Sequence, residues 1–115
     1  MVNNRHQIEF TREFQRNVRG LAKRYRNIRR DLQSLLDRLQ TGELPGDCIP
    51  GTGYEIYKVR LKNSDVQKGK SGGYRVIYYT KSVSAIVMVA IYSKSDRGDI
   101  LPNEIVDIVK RHAES

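Results

Sequence analysis

Cysteine is almost absent from this chain: Cys48 stands alone, so no intrachain disulfide can staple the fold. Tryptophan is missing, and there are only two phenylalanines and two histidines. Cys48, His6 and His112 are scattered without the spacing that a metal site of Cys and His ligands needs, and no metal or cofactor is expected. Proline is scarce, with three residues. No apolar run approaches the ~20 residues needed to span a bilayer; the longest is Ala85–Tyr92. No charged-then-apolar leader opens the sequence either. These absences leave a soluble, cytoplasmic, single-domain reading over residues 1–115, with no role in the membrane. A domain of this size buries roughly two-thirds of its unfolded surface, enough for a core without covalent staples.

Positive charge is abundant. Twenty-one Lys and Arg face thirteen Asp and Glu, a net charge of +8 and a pI near 9.8. The basic residues fall in clusters, which favours an anionic partner: nucleic acid first, then an acidic protein or a membrane surface.

Hydrophobic spacing gives the organisation. Gln7–Phe10 alternates as a short strand, and Thr11 is placed to cap a helix, with Glu13 near its positive end. Phe14, Val18, Leu21, Ala22 and Tyr25 form one helical stripe; Ile28, Leu32, Leu35, Leu36 and Leu39 repeat its spacing. A short gap around Asn27 joins the two as an antiparallel helical hairpin. Thr41–Gly53, rich in Gly and Pro, reads as a loop. Tyr54–Leu61 alternates, with Tyr57, Val59 and Leu61 on one face and Lys58 and Arg60 on the other. Lys62–Gly72 reads as a polar hairpin loop, and Gly73–Thr80 and Ser82–Tyr92 as two more strands, the last apolar on both faces. A final helix starts near Pro102, with Leu101, Ile105, Ile108 and Val109 on its buried side. The expected class is α+β: a small antiparallel sheet, an N-terminal helical hairpin and a C-terminal helix, all helices on one sheet face and the other left for function.

The chemistry concentrates between residues 58 and 75. Lys58 and Arg60, two apart on a strand, share a face; Arg75 on the next strand can join them, with Lys62, Lys68 and Lys70 between. Such cations can hold a phosphodiester and stabilise charge that builds in a transition state. The plain alternative is a solvated strand face whose charges discourage edge pairing. Tyr54, Tyr74, Tyr78, Tyr79 and Tyr92 are interleaved and could stack bases, although strand tyrosines usually pack; Tyr92, at the end of its strand, is the best placed. Gly69-Lys70-Ser71 resembles the end of a phosphate-binding P-loop, but Ser64 stands where the motif needs glycine, and a strand follows where it needs a helix.

Taken together, Tyr57-Lys58-Val59-Arg60-Leu61, then Lys68-Gly69-Lys70-Ser71-Gly72-Gly73-Tyr74-Arg75-Val76-Ile77-Tyr78-Tyr79, then Ile91-Tyr92-Ser93-Lys94-Ser95-Asp96 resembles the RelE/ParE toxin superfamily, nearest to its RelE- and HigB-like branch. The resemblance runs from about Ile8 to the last helix. It implies a RelE-like microbial ribonuclease fold and a toxin that cuts mRNA in the ribosomal A site without a metal. In that reaction the ribose 2′-hydroxyl attacks the adjacent phosphate and leaves a 2′,3′-cyclic phosphate. It also implies a cognate antitoxin protein that wraps and neutralises the toxin.

Residue by residue, the resemblance matches Lys58 and Arg60 to a basic pair and Arg75 to the arginine that contacts the scissile phosphate. Ser95 stands where such enzymes often carry arginine, and Ile100-Leu101 where they often carry tyrosine, so the proton-transfer groups stay open among Lys70, Tyr92, Lys94 and Asp96. The expected catalytic set is Lys58, Arg60, Arg75 and Lys94, with Lys68, Lys70, Tyr92 and Asp96 binding RNA. The competing readings are a ParE-like gyrase inhibitor, since one fold hosts both activities, and an RNA-binding module that leaves its ligand intact.

Overall fold

A computed structural model describes residues 6–66 and 73–114. In chain order these form β1 (Gln7–Phe10), α1 (Arg12–Ala22), α2 (Ile28–Gln40), β2 (Asp47–Ile49), β3 (Ile56–Leu61), β4 (Tyr74–Ser82), β5 (Ala85–Ser93) and α3 (Pro102–Glu114). The architecture is α+β.

Local chemistry explains the helix starts. Thr11 keeps an extended backbone, and its hydroxyl accepts the Phe14 N–H at 2.9 Å. Asn27 begins α2 without using its own side chain as a cap. Its backbone N–H instead donates to Asp65 at 2.9 Å, and its side-chain amide donates to the same carboxylate. At α3, Glu104 reaches back to accept the Leu101 N–H at 3.2 Å, the reciprocal half of a capping arrangement.

The five strands make one sheet in the order β1-β5-β4-β3-β2. It is mixed, where an antiparallel sheet was expected: β1 runs parallel to β5, while the other three pairings are antiparallel. The parallel pair is possible because two helices separate β1 from the remaining strands and carry the chain back across the sheet. β2 lies inside the segment expected to be loop, three residues added at the edge of β3. Gly46 precedes it with φ +97°, and a Cβ there would collide with the Lys58 carbonyl oxygen.

The second correction concerns layers. α1 and α2 pack on one face, where Phe14, Leu21, Ile28, Leu32, Leu35 and Leu39 meet Val59, Tyr74, Val76, Tyr78, Ile86, Met88 and Ile91. α3 does not join them. Its Ile105, Ile108 and Val109 pack on the opposite face against Ile56, Ile77, Tyr79, Val87 and Val89. An apolar stripe says that a helix must bury one side, not which sheet face receives it. The stripe also begins one residue earlier than expected: Ile100 is buried at 8% exposure, whereas Leu101 is 57% exposed.

Candidate nucleic-acid interface

The face under α3 is divided. One end is apolar and covered; the other carries charge. Strand register builds the charged end. Arg60 lies directly opposite Arg75 across β3 and β4, and Arg75 directly opposite Tyr92 across β4 and β5. Directly opposed residues project to the same face. Lys58, two residues before Arg60, therefore shares this face and lies opposite Ile77. Three strands thus place Arg60, Arg75 and Tyr92 in one row, with Lys58 one step toward the α3 core.

Two like charges opposed across a sheet destabilise it, and a neighbouring acid would ordinarily relieve them. Among the described residues neither Arg60 nor Arg75 has an ion-pair partner. Arg60 is exposed and Arg75 half-buried, its guanidinium donating only to the neighbouring Tyr74 carbonyl at 3.3 Å. The row thus concentrates positive charge that no carboxylate among the described residues neutralises by an ion pair to either arginine.

Tyr92 is placed differently from a stacking platform. It is 7% exposed, and the Arg97 guanidinium lies over its ring, 5.5 Å from the centroid. What it offers the row is its hydroxyl, which donates to Asp99 at 3.4 Å. Burial raises the Tyr92 pKa above the ordinary tyrosine range, with the Asp99 charge adding to the shift; a backbone hydrogen bond from Ile100 opposes it first, then the nearby Lys58 and Arg75. The phenol keeps its proton at neutral pH.

Asp99 was not singled out from the sequence. It sits in the polar stretch between β5 and α3, and only the fold brings it to the row. Lys58 Nζ lies 3.2 Å from its carboxylate, and this bond and charge, with Lys94 nearby, hold Asp99 below the usual carboxylate range. Arg97, also unforeseen, bridges the row to α3 through Glu104 at 3.3 Å.

The other expected site residues divide. Lys94 is exposed just after β5; its backbone N–H donates to Gly73 at 3.0 Å, placing it beside the start of β4 and near the row. Asp96 is drawn elsewhere: its carboxylate is gripped by both terminal nitrogens of Arg24, which follows α1. It ties the β5–α3 loop to the end of α1. Lys68 and Lys70 lie outside the described residues. Of the five interleaved tyrosines, Tyr74 and Tyr78 point to the opposite face and are fully buried under α1 and α2. Tyr79 packs under α3, and Tyr54 is exposed with its ring edge-on to Tyr79 at 5.9 Å. Among the described residues no group of three or more His, Cys, Asp and Glu is placed to hold a metal ion. No helix among them is long and apolar enough to cross a membrane.

Comparison with protein families matches residues 7–115 to the model of the RelE toxin of the RelE/RelB toxin–antitoxin system. The chain belongs to the RelE toxin family. It is the toxin half of a toxin–antitoxin pair, and membership implies an antitoxin protein as its partner. No individual curated protein matches it significantly. The RelE match spans all eight elements, including α3 and the Arg60–Arg75–Tyr92 row.

Proposed function

We propose that this RelE-family toxin is an mRNA endoribonuclease acting on the ribosome, and that the Arg60–Arg75–Tyr92 row is where it binds and cuts RNA. The observation that carries the reading is the opposed arginine pair, which has no carboxylate partner among the described residues. A phosphodiester supplies the missing negative charge, and the planar guanidinium forks match its oxygens. As the ribose 2′-hydroxyl gives its proton to solvent water and its oxygen bonds to phosphorus, negative charge grows on the phosphoryl oxygens. Arg60 and Arg75, fixed by strand register, stabilise that charge without reorganising. The phosphorus–O5′ bond breaks, and the departing O5′ needs a proton. Tyr92, whose hydroxyl donates to Asp99 at the row, is the donor we assign to it. Lys58, held by Asp99, adds positive charge one step away, and Lys94 adds it at the strand end.

Primer extension on mRNA with purified protein, with and without ribosomes, tests this. Cuts that appear only with ribosomes are expected. Intact mRNA under both conditions, with folded protein, would overturn it and turn attention to gyrase supercoiling or to RNA binding without cleavage.

A further inference from the structure

β5 does not keep one face throughout its length. Ile77 lies opposite Ala90, but Tyr78 lies opposite Met88, so Val89 is an extra residue with no partner on β4. This is a β-bulge. Strict alternation from Val87 would put residues 89 and 91 under α3 and turn Tyr92 toward α1 and α2. Instead Val89 and Ala90 both pack under α3, Ile91 crosses to the other core, and Tyr92 emerges beside Arg75.

The far edge of β5 loses its strand partner at the same point, because the β1 pairing ends at Phe10 opposite Met88. Residues from the start of α1 take over. The Thr11 N–H donates to the Met88 carbonyl at 3.1 Å, and the Thr11 hydroxyl donates to the Val89 carbonyl at 2.7 Å. The Asn17 side-chain oxygen accepts the Ile91 N–H at 3.1 Å. Thr11 is 1% exposed. Its hydroxyl uses both capacities, accepting from Phe14 for the helix cap and donating to the bulge. The bonds bracket the extra residue: one to Met88 before it, one to Val89 itself, one to Ile91 after it.

We propose that Thr11 and Asn17 are positioning residues: they fix the bulge at Val89 and so set the sheet face on which Tyr92 meets Arg75. The placement of Tyr92 stands on geometry alone, while its consequence for RNA cleavage rests on the function proposed above. If the bulge moves or closes by one residue, the strand beyond it changes face. The ordinary alternative is that both side chains merely satisfy buried polar backbone, in which case their loss lowers stability and leaves Tyr92 where it is.

Carbon-13-labelled tyrosine separates these. The Tyr92 ring signal is assigned by its disappearance in Tyr92→Phe. Thr11→Val keeps the shape and removes the hydroxyl, Thr11→Ser keeps the hydroxyl, and Asn17→Leu removes the bond to Ile91 while leaving the helix cap untouched. The expected result is a displaced Tyr92 signal in Thr11→Val and Asn17→Leu. In both, kcat for RNA cleavage should fall about tenfold or more with KM within about twofold, and Thr11→Ser should keep both signal and rate. If Thr11→Val does not fold, Asn17→Leu alone decides. An unmoved Tyr92 signal in folded Asn17→Leu overturns the proposal, as does loss of signal and rate in Thr11→Ser equal to that in Thr11→Val. A displaced signal with unchanged kcat overturns its catalytic half. A displaced signal in a protein whose wild type leaves mRNA intact supports the positioning role and overturns the proposed function instead.

Discussion

The two faces of the sheet share the same strands but hold opposite kinds of side chain at one end. Along β4, Tyr74, Val76 and Tyr78 face α1 and α2, all fully buried, while Arg75, Ile77 and Tyr79 face α3. The first face is apolar along its middle, where two helices seal it, with Ser93 and Thr80 at its ends. The second is apolar only where α3 reaches. Beyond that cover the pattern changes from Ile77 to Arg75 and from Ile56 to Lys58 and Arg60, and two arginines are opposed without an acid between them among the described residues. A sheet built for stability alone would not place like charges there. The sealed face therefore carries much of the folding energy, and the half-open face is where we propose the chemistry lies.

That contrast can be broken by mutation. The largest effect on stability should come from the sealed face: Met88→Ala, at a fully buried position, should cost about 2–5 kcal/mol in denaturant unfolding. A cost under about 1 kcal/mol would mean that this face is not the closely packed one.

A smaller effect is expected in acid on the α3 side. Glu9, on β1, holds His112 of α3 at 3.0 Å and Lys81 at 3.0 Å, and these bonds, His112 first, lower its pKa below the ordinary 4.5. A carboxylate with a depressed folded-state pKa contributes stability that is complete above its unfolded pKa. That contribution is lost as pH falls through the folded value. The difference in thermal unfolding between wild type and Glu9→Gln should therefore shrink as pH falls below the ordinary 4.5 and through the lowered folded value, with the whole contribution no more than about 1 kcal/mol. Curves that stay parallel into acid would show that this contact does not fasten α3.

The smallest effect on stability is expected from the charged row. Arg60→Ala removes one of two opposed like charges at an exposed position. It should change stability by no more than about 0.5 kcal/mol, in the stabilising direction. A loss comparable to Met88→Ala would make Arg60 a structural residue.

Much of this division was legible in the sequence, and the illegible parts have physical causes. β3 alternates cleanly, so Lys58 and Arg60 separate from Tyr57, Val59 and Leu61 by inspection. β4 carries Arg75, and alternation from it already turns Tyr74 and Tyr78 to the opposite face. β5 is apolar on both faces, so period-two reasoning has nothing to grip there and could not tell that a bulge at Val89 swings Tyr92 toward Arg75. The facing of α3 was invisible because an amphipathic stripe fixes a buried side and not a location. Asp99 was hidden because a loop carboxylate has no periodicity; only its contact with Lys58 reveals it. β2 is too short, and too deep in a Gly- and Pro-rich segment, to register as a strand. The Arg60–Arg75 opposition depends on the β3–β4 register, which the polar sequence Lys62–Gly72 between the two strands conceals.

The most direct test of the charged row is to measure stability and mRNA cleavage on the same preparation of Arg75→Ala. The expected result is unfolding within about 1 kcal/mol of wild type together with cleavage on ribosomes reduced about 10²-fold or more. Cleavage at the wild-type rate by the folded variant, or a loss of cleavage that merely tracks unfolding, would contradict the assignment of the Arg60–Arg75–Tyr92 row as the functional site.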